Sequence, residues 1–195
     1  MALRPFSCRT GAVFVGPEHG LVGSTRIWAM DDTLTPSRLW KQMTGTQRLA
    51  SARAFWSDDE AIDDQVQAAL LIAQKKKFRP KTVVALDLDR KSRHLASLAS
   101  LPDGIAGRAL ILYHLADQRA LMASFLDKLG IEHENGLIKE DSAKPESAKL
   151  APAAEAIGSE FPADDVRLYL TTLLCQDPET WGGLDEIVKK LEVRS

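Results

Sequence analysis

The chain has 195 residues, of which 45% are hydrophobic and 27% charged, and its formal net charge is −2. This length and composition suffice for one globular domain with its own core, which excludes disorder of the whole chain. The small net charge excludes a global attraction to nucleic acid, so such binding would need a local basic patch. No apolar run reaches the roughly 18 residues that cross a bilayer, so we expect no membrane partner.

Residues 1–29 differ from the rest, because they hold three arginines against one acid and show no helical period. We expect this segment to be an irregular or loosely attached extension, with a transit peptide as the alternative. Patterned sequence begins at Met30, which is a second candidate for the translation start. Residues 30–195 are then expected to form a single domain.

Helix signals begin soon after Met30. In "TPSRLW" Thr35 is a cap and Pro36 occupies the first helical position. Capping-box spacing then occurs twice, at Thr44 with Gln47 and at Ser57 with Glu60.

The clearest helix lies within "WSDDEAIDDQVQAALLIAQKKK", residues 56–77. Acids at its start and lysines at its end complement the helix dipole. Apolar residues recur at helical spacing, and the sequence predicts that one packed face contains Ile62, Val66, Ala69, Leu70 and Ala73.

Further helices are predicted after Pro102, at "QRALMASFLDKLG" and in three segments after residue 148, whereas the polar residues 131–148 predict a surface loop. Strand signals are nearly absent, so the predicted fold is all-α: a compact bundle of seven to nine short helices in antiparallel hairpins. Helix 104–116 is apolar nearly all round, which predicts a central position.

A weak internal sequence repeat, an echo at an offset of 58 residues, favours a domain built from two related halves. Leucine, glutamine and aspartate positions coincide between two segments of the form helix, break, helix. The first segment contributes Leu112, Leu115, Gln118, Leu126, Asp127 and Leu129, and the second contributes Leu170, Leu173, Gln176, Leu184, Asp185 and Ile187.

The stretch "KTVVALDLD", residues 81–89, is compatible with either a strand or a short helix. Asp87 and Asp89 after the apolar run resemble the nucleophile motif of haloacid-dehalogenase-type phosphatases, in which two aspartates work beside Mg²⁺. The pattern departs from that family at Lys91, and the downstream strands of a parallel sheet are missing. We therefore do not assign this activity.

The polar stripe of helix 104–116 is the candidate for catalysis. His114 and Asp117 are i, i+3 neighbours, so a general base oriented by a carboxylate is sterically allowed, with Gln118 beside it. No residue pattern indicates a nucleophile. The favoured interpretation is therefore that these polar side chains face water or form hydrogen bonds with a neighbouring helix, and no catalytic residue is assigned. The dispersed histidines, including His133 in "EHEN", predict no metal or cofactor.

The candidate binding stretch lies at 75–93, where cations surround one aromatic residue. Phosphate contacts and ring stacking are the interactions that bind single-stranded nucleic acid. The residues of this stretch are Lys75, Lys76, Lys77, Phe78, Arg79, Lys81, Arg90 and Arg93.

The leading functional prediction is a non-catalytic interaction or scaffolding module with a protein partner or a homo-oligomeric state. The alternatives are a nucleic-acid-binding module using residues 75–93 and an enzyme centred on His114 and Asp117. The two cysteines, Cys8 and Cys175, belong to no paired framework, which is typical of a reduced cytoplasmic protein.

Overall fold

The computed structural model describes residues 34–139 and 144–192, and the expected extension at 1–29 lies outside this part of the chain. The described residues form an all-α bundle with one two-stranded hairpin. The helices are α1 (Pro36–Gln42), α2 (Gly45–Ser57), α3 (Ile62–Lys76), α4 (Pro80–Val84), α5 (Leu88–Ala96), α6 (Asp103–Asp117), α7 (Arg119–Leu129), α8 (Ser147–Glu160), α9 (Ala163–Gln176), α10 (Pro178–Trp181) and α11 (Asp185–Glu192). None of these helices is long and apolar enough to cross a membrane.

The helix starts depend on side-chain caps that the sequence predicts. Thr35 accepts a hydrogen bond from the backbone N–H of Arg38. Thr44 and Gln47 form the predicted capping box, each side chain accepting from the backbone N–H of the other residue. These caps satisfy N–H groups that have no partner within the helix.

The second predicted capping box is wrong. α2 continues through Ser57, and Asp58 instead caps a 3₁₀ turn, Asp59–Ala61, by accepting from the backbone N–H of Glu60 at 3.4 Å. The Asp58 carboxylate also forms an ion pair with Arg108 at 2.7 Å. The uncharged hydroxyl of Ser57 could not form such a pair. Helix α3 therefore starts one short turn later than the pattern indicated.

Residues 81–89 form no strand: they comprise the end of α4, a short turn and the start of α5. Asp87 caps α5 by accepting from the backbone N–H of Arg90 at 2.8 Å. Asp89 accepts from Arg53 at 2.7 Å and from Arg93 at 3.0 Å. Both aspartates thus have structural partners, and no parallel sheet occurs within the described ranges.

The polar segment 131–148 contains a hairpin where the sequence analysis predicted only a loop. β1 (His133–Glu134) pairs antiparallel with β2 (Leu137–Ile138). Asn135 and Gly136 turn the chain with φ values of 50° and 85°. A Cβ at Gly136 would lie 2.7 Å from the Met122 Cβ, so only glycine fits this turn against α7.

The core consists of two apolar clusters. The first lies between the helices α1 to α6, and the second between α7, α8, α9, α10 and α11. Leu168 on α9 belongs to the first cluster although its neighbours Tyr169 and Leu170 belong to the second. Helices α6 and α9 therefore meet where the two clusters adjoin, and α6 carries seven buried residues.

Candidate functional site

His114 lies at the contact between α6 and α9. Its side chain is buried, and Nε2 lies 3.1 Å from the Thr172 Oγ1 on α9. The Thr172 hydroxyl donates its one proton to the Leu168 carbonyl at 2.7 Å. Nε2 must therefore carry the proton that bonds to Thr172, which fixes the neutral Nε2–H tautomer.

The other ring nitrogen of His114, Nδ1, is buried away from solvent. Nδ1 has no hydrogen-bond partner among the described residues. The rings of Tyr113 and Tyr169 flank the imidazole, each with its centroid 5.4 Å away. Burial lowers the pKa of His114 to about 4, and the Asp165 carboxylate only partly opposes this shift. The imidazole is therefore neutral near pH 7 and shielded from solvent.

Asp117 does not act as the carboxylate partner of His114. Its side chain is exposed, and no hydrogen bond or ion pair links the two residues in the described part of the chain. A general base must reach the proton that it removes, and here the unbonded nitrogen faces protein rather than a cavity open to substrate. These positions favour a packing role for His114.

Gln118 belongs instead to a hydrogen-bond network that joins three helices. Its Nε2 donates to the Tyr113 hydroxyl at 2.9 Å, and that hydroxyl donates to Asp165 Oδ1 at 3.0 Å. Gln47 Nε2 from α2 donates to the same carboxylate oxygen at 2.8 Å. Desolvation raises the pKa of Tyr113 to about 12. The network therefore ties α2, α6 and α9 together next to His114.

Sequence reasoning missed Asp165 and Thr172, and it gave Gln47 only its capping role. Asp165 is one of two adjacent acids in the first turn of α9, and that pattern is typical of a helix start facing solvent. The sequence carries no local signal for Thr172, because it lies 58 residues from His114 and on a different helix.

The basic stretch divides into two groups. Arg90 and Arg93 pair with Asp87 at 3.4 Å and Asp89 at 3.0 Å. The other cations are exposed and make no ion pair with a described residue; these are Lys75, Lys76, Lys77, Arg79 and Lys81. The exposed Phe78 ring lies among them and contacts His94 of α5 edge to face, with centroids 5.3 Å apart.

The strongest surface feature lies on α3, on the face for which the sequence predicts packing. Ile62, Val66 and Leu70 are 61%, 50% and 46% exposed. The prediction of a single packed face is wrong for these three residues. Helix α3 packs inward through Ala69 and Ala73, as predicted, together with Ala68 and Ile72.

We name the exposed stripe Ile62, Val66 and Leu70 the α3 surface. A groove of about 430 Å³ adjoins it between α3 and the start of α6. Leu70 and Leu71 line one side of this groove, and Pro102 and Ile105 line the other. The α3 surface therefore continues into a partly apolar depression, which is the shape that accepts a protruding side chain from a partner.

The remaining histidine candidate has a local role. The His133 Nε2 lies 3.1 Å from Asp127, and the His133 Nδ1 accepts from the backbone N–H of Gly136 at 3.2 Å. Within 34–139 and 144–192, no group of three or more metal-ligating side chains comes together.

Comparisons with known proteins return no relative. No protein-family model, curated protein or solved structure matches this chain.

Proposed function

We propose that this protein is a non-catalytic interaction module that binds an amphipathic helix of a protein partner on the α3 surface. The observation that carries the proposal is the exposure of Ile62, Val66 and Leu70 at i, i+4 and i+8 on one helix. Such spacing presents a continuous apolar line to a second helix.

The composition of α3 supports this proposal. Three alanines and Ile72 form its buried inner face, while the aliphatic side chains of Ile62, Val66 and Leu70 are exposed. Leaving these side chains in water forgoes the free energy of burying them, about 1.5–3 kcal/mol for each fully buried side chain. A partner helix would recover part of that free energy, and the groove beside Leu70 would admit one of its side chains.

The His114 stripe lends the enzyme alternative little support. Its imidazole is neutral, enclosed and bonded to Thr172, and its expected partner Asp117 lies in solvent. The polar groups around it make hydrogen bonds across helices, which is the arrangement of a structural network.

Thiol labelling tests whether the α3 surface is occupied. The full chain would carry Val66→Cys, with Cys8 and Cys175 changed to serine because both could react. We expect the introduced thiol to react with a maleimide rapidly in dilute purified protein and slowly in the producing cells, where a partner covers it. The matched control carries Glu155→Cys at an exposed position of α8 and should react alike in both settings. Equal reactivity of the Val66→Cys variant in both settings would contradict the proposal.

Nucleic-acid binding is the second candidate, and Phe78 favours it. The ring is 39% exposed, contacts His94 and lies among five cations that form no ion pair within the described ranges, so one base could stack while phosphates meet the lysines. We expect retention of single-stranded DNA at low salt that is lost in Lys75→Glu/Lys76→Glu/Lys77→Glu and kept in the control Lys139→Glu. A gel-shift titration at several salt concentrations measures this, and no retention at low salt removes the candidate.

A further inference from the structure

We propose that the helix that occupies the α3 surface is α3 of a second copy of this chain, packed antiparallel about a two-fold axis near the middle of the helix. This inference rests on the proposed function, because it names the partner of the same surface. The two-fold arrangement is the commonest one for soluble oligomers, and it requires a surface that complements itself.

The charges on α3 supply that self-complementarity. Asp59 in the 3₁₀ turn before α3 and Asp63 in its first turn are exposed, lysines follow at its end, and none of these groups makes an ion pair with a described residue. A helix of 15 residues separates the two ends by about 22 Å. Antiparallel packing places the acidic end of each copy beside the basic end of the other, whereas parallel packing would bring like charges together.

Val66 and Leu70 fit the same symmetry, whereas Ile62 lies opposite Gln74. An axis near residue 68 places Val66 of one copy against Leu70 of the other, and the pair recurs on the opposite side of the axis. Leu70 borders the groove between α3 and α6, so that groove is the natural recess for a side chain of the second copy. The charged ends and the apolar centre therefore select one orientation.

The area available sets the expected strength. A stable interface buries about 800 Å² on each partner, and a stripe of three aliphatic residues with its groove covers less. We therefore expect a reversible dimer that forms at micromolar concentrations rather than a permanent one. Salt should weaken it, because the charged ends are exposed and screened.

Sedimentation equilibrium of the full chain over a series of concentrations tests the dimer. We expect the mass to rise from 21.4 kDa toward twice that value in low salt with reductant present. Val66→Glu/Leu70→Glu should remain monomeric. The matched control Leu137→Glu/Ile138→Glu changes two residues of similar exposure, 44% and 46%, on β2 and should still dimerise.

Charge reversal tests the orientation. Asp59→Lys/Asp63→Lys alone and Lys76→Glu/Lys77→Glu alone should each remain monomeric, because like charges then meet at both ends. An equimolar mixture of the two variants should form a heterodimer, since one copy is basic and the other acidic at both ends. Circular dichroism melts establish that every variant is folded.

A concentration-independent monomer mass for the unmodified chain would overturn the proposal, as would a dimer that survives Val66→Glu/Leu70→Glu. Failure of the mixture to restore association would overturn the antiparallel arrangement. A monomer in solution whose Val66→Cys thiol is nevertheless protected in cells would overturn only the dimer, and it would leave the α3 surface as the site of a different protein helix.

Discussion

Replacing Trp40 with alanine is expected to unfold the protein or bring it close to unfolding. Trp40 is fully buried in the first apolar cluster, and its indole N–H donates to the Leu98 carbonyl at 2.9 Å. Truncating a buried tryptophan costs about 3–5 kcal/mol in the free energy of unfolding. The Leu98 carbonyl would also lose its donor, at a further cost of about 1–3 kcal/mol. The whole stability of a domain is only about 5–15 kcal/mol.

Two further variants separate these contributions. Trp40→Phe keeps an aromatic ring and loses the hydrogen bond, so we expect a smaller destabilisation than for alanine. Val84→Ala removes a side chain that is 63% exposed and should change the free energy of unfolding by no more than about 0.5 kcal/mol. Guanidinium denaturation followed by circular dichroism measures all three. A cost for Trp40→Ala as small as that for Val84→Ala would show that α1 does not anchor on this tryptophan.

His114 is expected to make the fold sensitive to acid. Burial lowers its pKa to about 4 in the folded chain, against 6.5 for an ordinary histidine. The unfolded chain therefore binds more protons between these values, and the free energy of unfolding falls as the pH falls from about 6.5 to about 4. Neutral His114 contributes at most about 3 kcal/mol to the free energy of unfolding, and this contribution is fully present above pH 6.5.

The surroundings of His114 explain the direction of this effect. Protonation would place a second N–H at Nδ1, where no described residue accepts a hydrogen bond. His114→Phe removes the titrating group, so its unfolding free energy should depend less on pH over this interval than that of the unmodified chain. Val84→Ala, at an exposed position without a titrating group, is the control and should keep the original dependence. Identical pH profiles for His114→Phe and the unmodified chain would refute the assignment.

Some features with local causes are predicted by the sequence. The capping box at Thr44 and Gln47 depends on two residues three positions apart, and the amino-acid sequence shows both of them. The hairpin turn at Asn135 and Gly136 has a similarly local cause, since asparagine–glycine is a strong signal for a tight hairpin. The polar and turn-rich composition of residues 131–148 predicts a loop, and it does not reveal the hairpin.

The α3 surface could not be predicted, because helical periodicity identifies an apolar face without showing whether another element covers it. Ile62, Val66 and Leu70 share a pattern with Ala69 and Ala73, yet only the alanines are buried. Small side chains allow α3 to approach its neighbours closely, and the larger ones at the edge of that face then remain in water. The choice depends on how α3 packs against the rest of the bundle.

The possible contact between His114 and Asp117 is not formed in the structure, for a related reason. His114 and Asp117 are neighbours by spacing, but the partner that His114 bonds is Thr172, which is 58 residues away. The acid that organises the neighbouring tyrosine and glutamines is Asp165 on α9. Contacts between distant helices depend on the tertiary arrangement, which the spacing of residues within one helix does not encode.

The most direct test of the central claim is photocrosslinking from the α3 surface in the cells that produce the protein. A benzophenone side chain would replace Val66, and in a second variant it would replace Glu155 on α8. The account predicts a discrete protein adduct from position 66, whether with another copy of the chain or with a different protein, and none from position 155. The absence of any adduct from position 66, or the same adducts from both positions, would contradict the claim that α3 is the binding surface.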